Sequence, residues 1–299
     1  MKKTFLLFLH LACAALFILT ACAKATLTTA SVPPSETSVS SINTSAPQPT
    51  ETIIPTPTLG IGSTIISEKD GATLIYVPEG EFTMGSESGS SDEQPVHTVY
   101  LDAFWIDQTE VTNKQYAACV ANRGCTPLSS VSSYTRFKYY GNVQFYEFPV
   151  VYVDWNQADI YCLWAGRRLP TEAEWEKAAR GADERIYPWG NDAPNNDLLN
   201  YNSTIGDTTE VDSYETGKSF YGAYNMAGNV REWVHDWYDE TYYQNSPLSN
   251  PLGPDVGNTR VLRGGAWNSS VNYIPSAFRS WNYPSNAYID FGFRCASSP

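Results

Sequence analysis

Apolar and polar positions divide the 299-residue chain into three unlike stretches. The first is an apolar run from Phe5 to Leu19 behind Lys2 and Lys3. It is too short for a membrane span and carries the basic flank of an export signal, so residues 1–21 are expected to be a signal peptide. The second stretch, 22–63, is poor in large side chains: its positions 23–58 hold 15 Ser or Thr and 6 Pro. Such a segment buries too little apolar area to offset the entropy of ordering, and it reads as a disordered tether. The third, 64–299, has the alternation and punctuation of one folded domain.

Within that domain, 74–78 and 81–84 alternate as short strands around Pro78-Glu79-Gly80, and 86–94 is a polar loop. The span 97–108 reads as one further strand, with Val99, Leu101, Phe104 and Ile106 on its apolar face. Thr112 and Gln115 form a capping-box signature for a helix running to about Val120. Asn156 is the expected cap of a second helix, 157–165, stopped by Gly166. Thr171 and Glu174 cap a third that ends at Gly181. Beyond it regular structure thins: 187–224 is rich in Asn, Asp, Gly and Pro, and only 260–263, 277–281 and 292–296 read as strands. No internal repeat is visible. A globule with so many loops needs other means of cohesion, and 9 Trp, 20 Tyr and 12 Phe supply them; each ring buries about 150–250 Å². The pattern predicts one irregular α+β domain with an aromatic core.

Removing Lys2 and Lys3 with the signal peptide takes the 19 basic residues to 17 against 32 acidic, a net charge of −15. That balance argues against nucleic acid and against an electrostatic grip on anionic lipid, and suits cation binding. Export implies an oxidising compartment. Besides Cys13 and Cys22, the chain has Cys119, Cys125, Cys162 and Cys295, which favour two bridges among three possible pairings.

Several chemistries are excluded. Downstream of the signal peptide the only histidines are His97 and His235, so a three-histidine metal centre cannot form, and neither HExxH nor CxxC occurs. There is no Gly-x-Ser-x-Gly elbow, and Gly60-Ile-Gly62 lacks the rest of a nucleotide loop. His235 beside Asp236 could serve as a base, although a plain surface or core histidine accounts for it equally. Glu172, Glu174 and Glu176 share one helix and read as a solvated face. The stretch 225–237, NMAGNVREWVHDW, supports two readings. One is a tight turn whose asparagines bond their own backbone; the other is a loop gathering Asn225, Asn229 and Glu232 as hard oxygen ligands for Ca²⁺.

Two resemblances sharpen the picture. Leu19-Thr20-Ala21-Cys22 resembles a bacterial lipobox, which implies cleavage before Cys22, lipidation there and anchoring to a membrane outside the cytoplasm. Phe82-Thr-Met-Gly85, the run from Ile106 to Asn113, the run from Tyr161 to Glu176, Pro188-Trp-Gly190, the run from Asn225 to Trp233, Arg263-Gly-Gly-Ala-Trp267 and Gly292-Phe-Arg-Cys-Ala296 follow in the order of the formylglycine-generating enzyme family, the sulfatase-modifying factors. The resemblance covers roughly 74–296 and implies the irregular C-type-lectin-like α+β fold.

It also implies a site. Active members oxidise a sulfatase cysteine with O₂ and a copper ion held by two thiolates beyond a Gly-Gly-Ser. Here Gly264-Gly265 precedes Ala266, and the thiolate positions are Ser269 and Ile274, with Pro275 next and Arg231 where active members carry a tryptophan. Soft Cu(I) needs the sulfur pair, and Cys119 and Cys125 lie in the wrong motif to supply it, so copper is not expected. The calcium positions do match. Asn225 and Glu232 would bind through side chains with carbonyls of Gly228 and Val230, and a second ion would use Asn200 and Asp207 with carbonyls of Tyr201 and Thr209. The resemblance also implies a Cys162–Cys295 bridge; the pair expected beside it is Cys119 with Cys125, across the short loop where the chain leaves a helix.

The expected function is therefore a surface-anchored, calcium-stabilised binding module for a peptide, protein or glycan, held between the Trp267 segment and Trp281. The alternatives are a formylglycine-generating oxidoreductase using other ligands and a structural envelope lipoprotein.

Overall fold

Ten strands and three α-helices are distributed over the part of the chain that the computed structural model describes, residues 59–299. The signal peptide, Cys22 and the tether up to residue 58 lie outside the described residues. Strands β1 (Thr64–Ile66), β2 (Thr73–Val77), β5 (Phe104–Asp107) and β10 (Ala296–Ser297) form one antiparallel sheet in the order β1-β2-β5-β10. β3 (Gly80–Met84) and β4 (His97–Leu101) pair alone. A third sheet runs β8-β7-β6-β9 from β8 (Ser280–Asn282), β7 (Arg260–Arg263), β6 (Arg231–Trp237) and β9 (Phe291–Phe293), with β6 parallel to β9. Helices α1 (Asn113–Ala121), α2 (Trp155–Trp164) and α3 (Glu172–Arg180) complete an α+β fold with little regular structure.

Four readings of the strand and helix pattern are corrected. The span 97–108 is two strands, not one: Asn250 Oδ1 accepts from the Asp102 amide at 2.9 Å, which takes that N–H out of the ladder and sends β4 and β5 to different sheets. The second helix begins earlier than Asn156; Asp154 is its cap, accepting from Gln157 N at 2.8 Å. Of 277–281 only the end is a strand, because the carbonyls of Ser276 and Ala277 accept from Arg263. The span 292–296 splits into β9 and β10, since the Cys295 amide donates to Asp107 Oδ2 at 2.9 Å.

The larger correction concerns α3. Glu172, Glu174 and Glu176 are not a solvated face: they are 2%, 7% and 0% exposed, and every residue of the helix is buried. A helix buried all round can carry acids only if each is paired, and the pairs are present. Arg279 grips Glu172 through Nε and Nη2 at 2.8 and 2.9 Å, and Arg263 Nη2 donates to Glu176 at 2.6 Å. Arg168 reaches both oxygens of Glu174 at 2.6 Å. Two apolar clusters flank this ionic layer, one around Trp175, Phe104 and Val234, the other around Trp233, Tyr116 and Phe293. The bridges Cys119–Cys125 and Cys162–Cys295 are both formed, the second tying α2 to the approach of β10.

Candidate functional site

Only the first part of 225–237 is a turn; its last seven residues are β6, a central strand of the third sheet. Asn225 and Asn229 hold φ of 53° and 57°, the left-handed region that asparagine tolerates better than most residues. Both are buried, and both amides are fixed by Glu110, itself 0% exposed. Asn225 Nδ2 donates to Glu110 Oε2 at 2.9 Å and to the Val211 carbonyl at 2.9 Å. Asn229 Nδ2 donates to Glu110 Oε1 at 2.8 Å, while its Oδ1 accepts from Thr209 N at 2.9 Å. Asn229 N donates to the carbonyl of Asn200, whose Nδ2 reaches the Asp207 carbonyl at 2.8 Å. The two predicted ligand groups thus belong to one buried network with Asn229 between them.

Within that network, Asn225 Oδ1 and Asn200 Oδ1 are buried with no hydrogen-bond donor. A buried amide oxygen without a partner costs roughly 1–3 kcal/mol, so two of them, at the two positions expected to bind cations, form one pattern. The acids are more heavily engaged. Glu232 Oε1 accepts from Arg294 Nη2 and Oε2 from Arg294 Nε and Trp175 Nε1, each at 2.7 Å. Asp207 Oδ2 accepts from Ser133, from Thr135 Oγ1 and from Thr135 N, and Oδ1 from Thr208 N. Burial would raise the Asp207 carboxyl, but the bonds from Thr135 and Ser133 outweigh it and hold the group below its usual value. With two lone pairs per oxygen, Glu232 Oε1 and Asp207 Oδ1 each retain one.

Each group therefore offers an orphan amide oxygen, a spare carboxylate lone pair and backbone carbonyls. This all-oxygen donor set fits Ca²⁺. Among the described residues no three Asp, Glu, His or Cys side chains gather round one point, so amides and carbonyls must supply the balance. Burial pushes the Glu110 carboxyl up to about 7, against the pull of Arg294 and with Glu232 adding to the rise.

The segment after β7 is held by hydrogen bonds and apolar packing. Ser269 Oγ accepts from Ala266 N at 2.9 Å and from Arg231 Nη2 at 3.3 Å, and Arg231 pairs with Asp290 at 3.5 Å. Ile274 is 0% exposed in an apolar cluster with Leu199 and Ala227. All four cysteines of the described residues are oxidised in the two bridges. No thiol pair is within the chemistry of this site.

A model of the sulfatase-modifying factor enzyme 1-like domain matches residues 64–299. The chain belongs to that family. Formylglycine-generating enzyme of Streptomyces coelicolor is 37% identical over 75% of this chain and 88% of its own length. Serine/threonine-protein kinase Pkn1 of Chlamydia trachomatis is 39% identical, but the match spans only 38% of that protein. Hercynine oxygenase of Mycolicibacterium smegmatis is 32% identical over 61% of its length. Among solved structures, PvdO from Pseudomonas aeruginosa superposes with a TM-score of 0.69 at 26% identity, covering 81% of this chain and all of that one. The Treponema denticola variable protein 1 gives 0.66 at 27%, covering 79% and 99%.

Set on this sulfatase-modifying factor scaffold, the remaining predicted residues fall as follows. Trp267 is buried at 3% exposure with Tyr134 across its face, and Trp281 is half-exposed on β8 against Tyr238. The cleft the structure forms beside this segment lies elsewhere. It encloses about 410 Å³ between the 86–93 loop, Tyr187 and the 271–277 turn. His235 is exposed and lines a second cleft with Arg168 and Asn250. Glu110 was not singled out from the sequence: it ends the polar run Asp107-Gln108-Thr109-Glu110, where nothing local signals its burial.

Proposed function

We propose that this protein is an exported, lipid-anchored binding member of the sulfatase-modifying factor family that does not use the copper-thiolate chemistry of its enzymatic relatives. One observation carries the reading: the two thiolate positions are Ser269 and Ile274, and both are committed to the fold, one to a turn hydrogen bond and one to apolar packing. Calcium is assigned the role of holding the asparagine loops, supported by the unpartnered Asn200 and Asn225 oxygens. The cleft bounded by Ser86, Ser88, Ser90, Tyr187 and Asn272 suits a polar ligand: hydroxyls and an amide line it together with the charged Glu93 and Arg180. A peptide, protein or glycan segment presents such chemistry. Anchoring at Cys22 rests on the lipobox-like sequence, and Cys22→Ser should release the protein from membrane fractions; unchanged retention and processing would remove the anchor from the account.

The test is direct. Purified wild-type protein, loaded with Cu(I) and incubated with a cysteine peptide of sulfatase sequence, should leave the peptide mass unchanged. A glycan and peptide array should give binding that substitutions lining the cleft abolish. The identity to formylglycine-generating enzyme favours one rival, an oxidoreductase working with other ligands. Conversion of the peptide cysteine by the wild-type protein would establish that rival.

A further inference from the structure

Resting on the calcium reading above, we infer that Glu110 is the positioning residue of both cation sites: its two carboxylate oxygens orient the asparagine amides on which the two sites depend. Each oxygen holds one amide, Oε2 that of Asn225 and Oε1 that of Asn229. An amide is planar with its nitrogen and oxygen at opposite corners, so fixing the NH₂ fixes where the oxygen points. In Asn225 both N–H groups are spent, one on Glu110 and one on the Val211 carbonyl, and Oδ1 is the atom left without a partner. Asn229 carries the same constraint to the second site. Its Oδ1 accepts from the Thr209 amide and its backbone N–H donates to Asn200, so it holds two residues of that ligand set.

Only a group that accepts on both sides can do this. A glutamine at position 110 would turn an NH₂ toward one of the two asparagine NH₂ groups, and that amide would have to flip or withdraw. Glu110 is buried and each of its oxygens accepts from an asparagine amide, so it acts through the asparagines. Groups that orient metal ligands commonly control metal affinity by 10–100-fold.

Calorimetric titration of the mature protein with Ca²⁺ tests this. Wild type should bind two ions, and Glu110→Gln should bind the ion served by the displaced asparagine about 10–100-fold more weakly while keeping its circular dichroism. A merely structural role predicts a lower melting temperature with unchanged calcium affinity, and that outcome overturns the inference while leaving the calcium reading in place. No calcium binding by wild type overturns both. Should Glu110→Gln fail to fold, Asn229→Ser carries the test: it removes the amide that joins Glu110 to Thr209, keeps the backbone N–H bond to Asn200 and spares Asn225. The second site should weaken and the first hold; equal change at both sites, or none, overturns the inference.

Discussion

Two regions flanking β6 solve the same problem in opposite ways. Around α3 and β7, buried acids are matched by guanidinium groups: Glu172 by Arg263 and Arg279, and Glu176 by Arg263 and Arg180. Burial alone would raise the Glu172 carboxyl, but Arg279 and Arg263 override it and hold the group below its usual value. Bidentate pairs of this kind satisfy charge and hydrogen bonding together, so the acids of this region have their countercharges within the chain, although Arg263 Nε, Ser276 Oγ and the Tyr243 hydroxyl find no partner. Around 199–229 the buried groups are mostly amides, and two of their oxygens are left without donors. An amide oxygen can attract an ion but cannot neutralise one, so on the proposed calcium reading this region is the one completed from outside. The difference teaches that buried acids can be countered by arginines on one side of a fold while buried asparagine oxygens on the other are left without donors.

The contrast can be broken first on the arginine side. Arg263→Ala leaves Glu176 Oε2 without its donor, while Arg180 stays on Glu176 Oε1 and Arg279 on both oxygens of Glu172; removing one partner of a buried pair costs about 3–5 kcal/mol. Urea unfolding with saturating Ca²⁺ should show that loss, and the variant should keep the full stabilisation by calcium. A loss under about 1 kcal/mol would mean that these pairs are solvated and not structural. On the asparagine side the expected effect is smaller. Calcium at a hundredfold excess over Kd should add about 2.7 kcal/mol for each site, and Asn225→Ala should remove the share of one site. Equal melting temperatures in calcium and in chelator would erase the distinction between the regions.

The smallest effect tests an acid that neither solution fully serves. Burial pushes the Asp107 carboxyl up to about 6 despite the nearby Arg167, and its Oδ1 accepts no hydrogen bond. The native state therefore keeps a proton over a window, from about 4 to 6, in which the unfolded chain has lost it. Stability from this group falls as pH rises through that window. Asp107→Asn should flatten the slope of the urea midpoint between pH 4 and 6; an unaltered slope would assign the proton elsewhere.

How much of this was legible in sequence follows the same division. Helix caps and turn glycines act over three or four residues, so α1 and α3 could be placed from Thr112 with Gln115 and Thr171 with Glu174. Interactions between distant residues were hidden. Glu172 and Glu176 read as solvated because nothing local announces that Arg279 and Arg263, 87 or more residues away, will pair with them; Glu174 has its partner, Arg168, six residues away. The break in 97–108 depends on Asn250, and the start of β8 on Arg263, both invisible to periodicity. Asn225, Asn229 and Glu232 were visible as a group, but not Glu110, which binds the two asparagines from 115 and 119 residues away.

The account turns most directly on where ions sit. A crystal of the mature protein grown with Ca²⁺, examined by anomalous scattering, should show two peaks, one within about 2.3–2.6 Å of Asn225 Oδ1 and one at the same distance from Asn200 Oδ1. No peak should lie in the Arg263 region. Water-like density or nothing at both asparagines, with calcium saturating, would contradict the division between an arginine-countered and an ion-completed side.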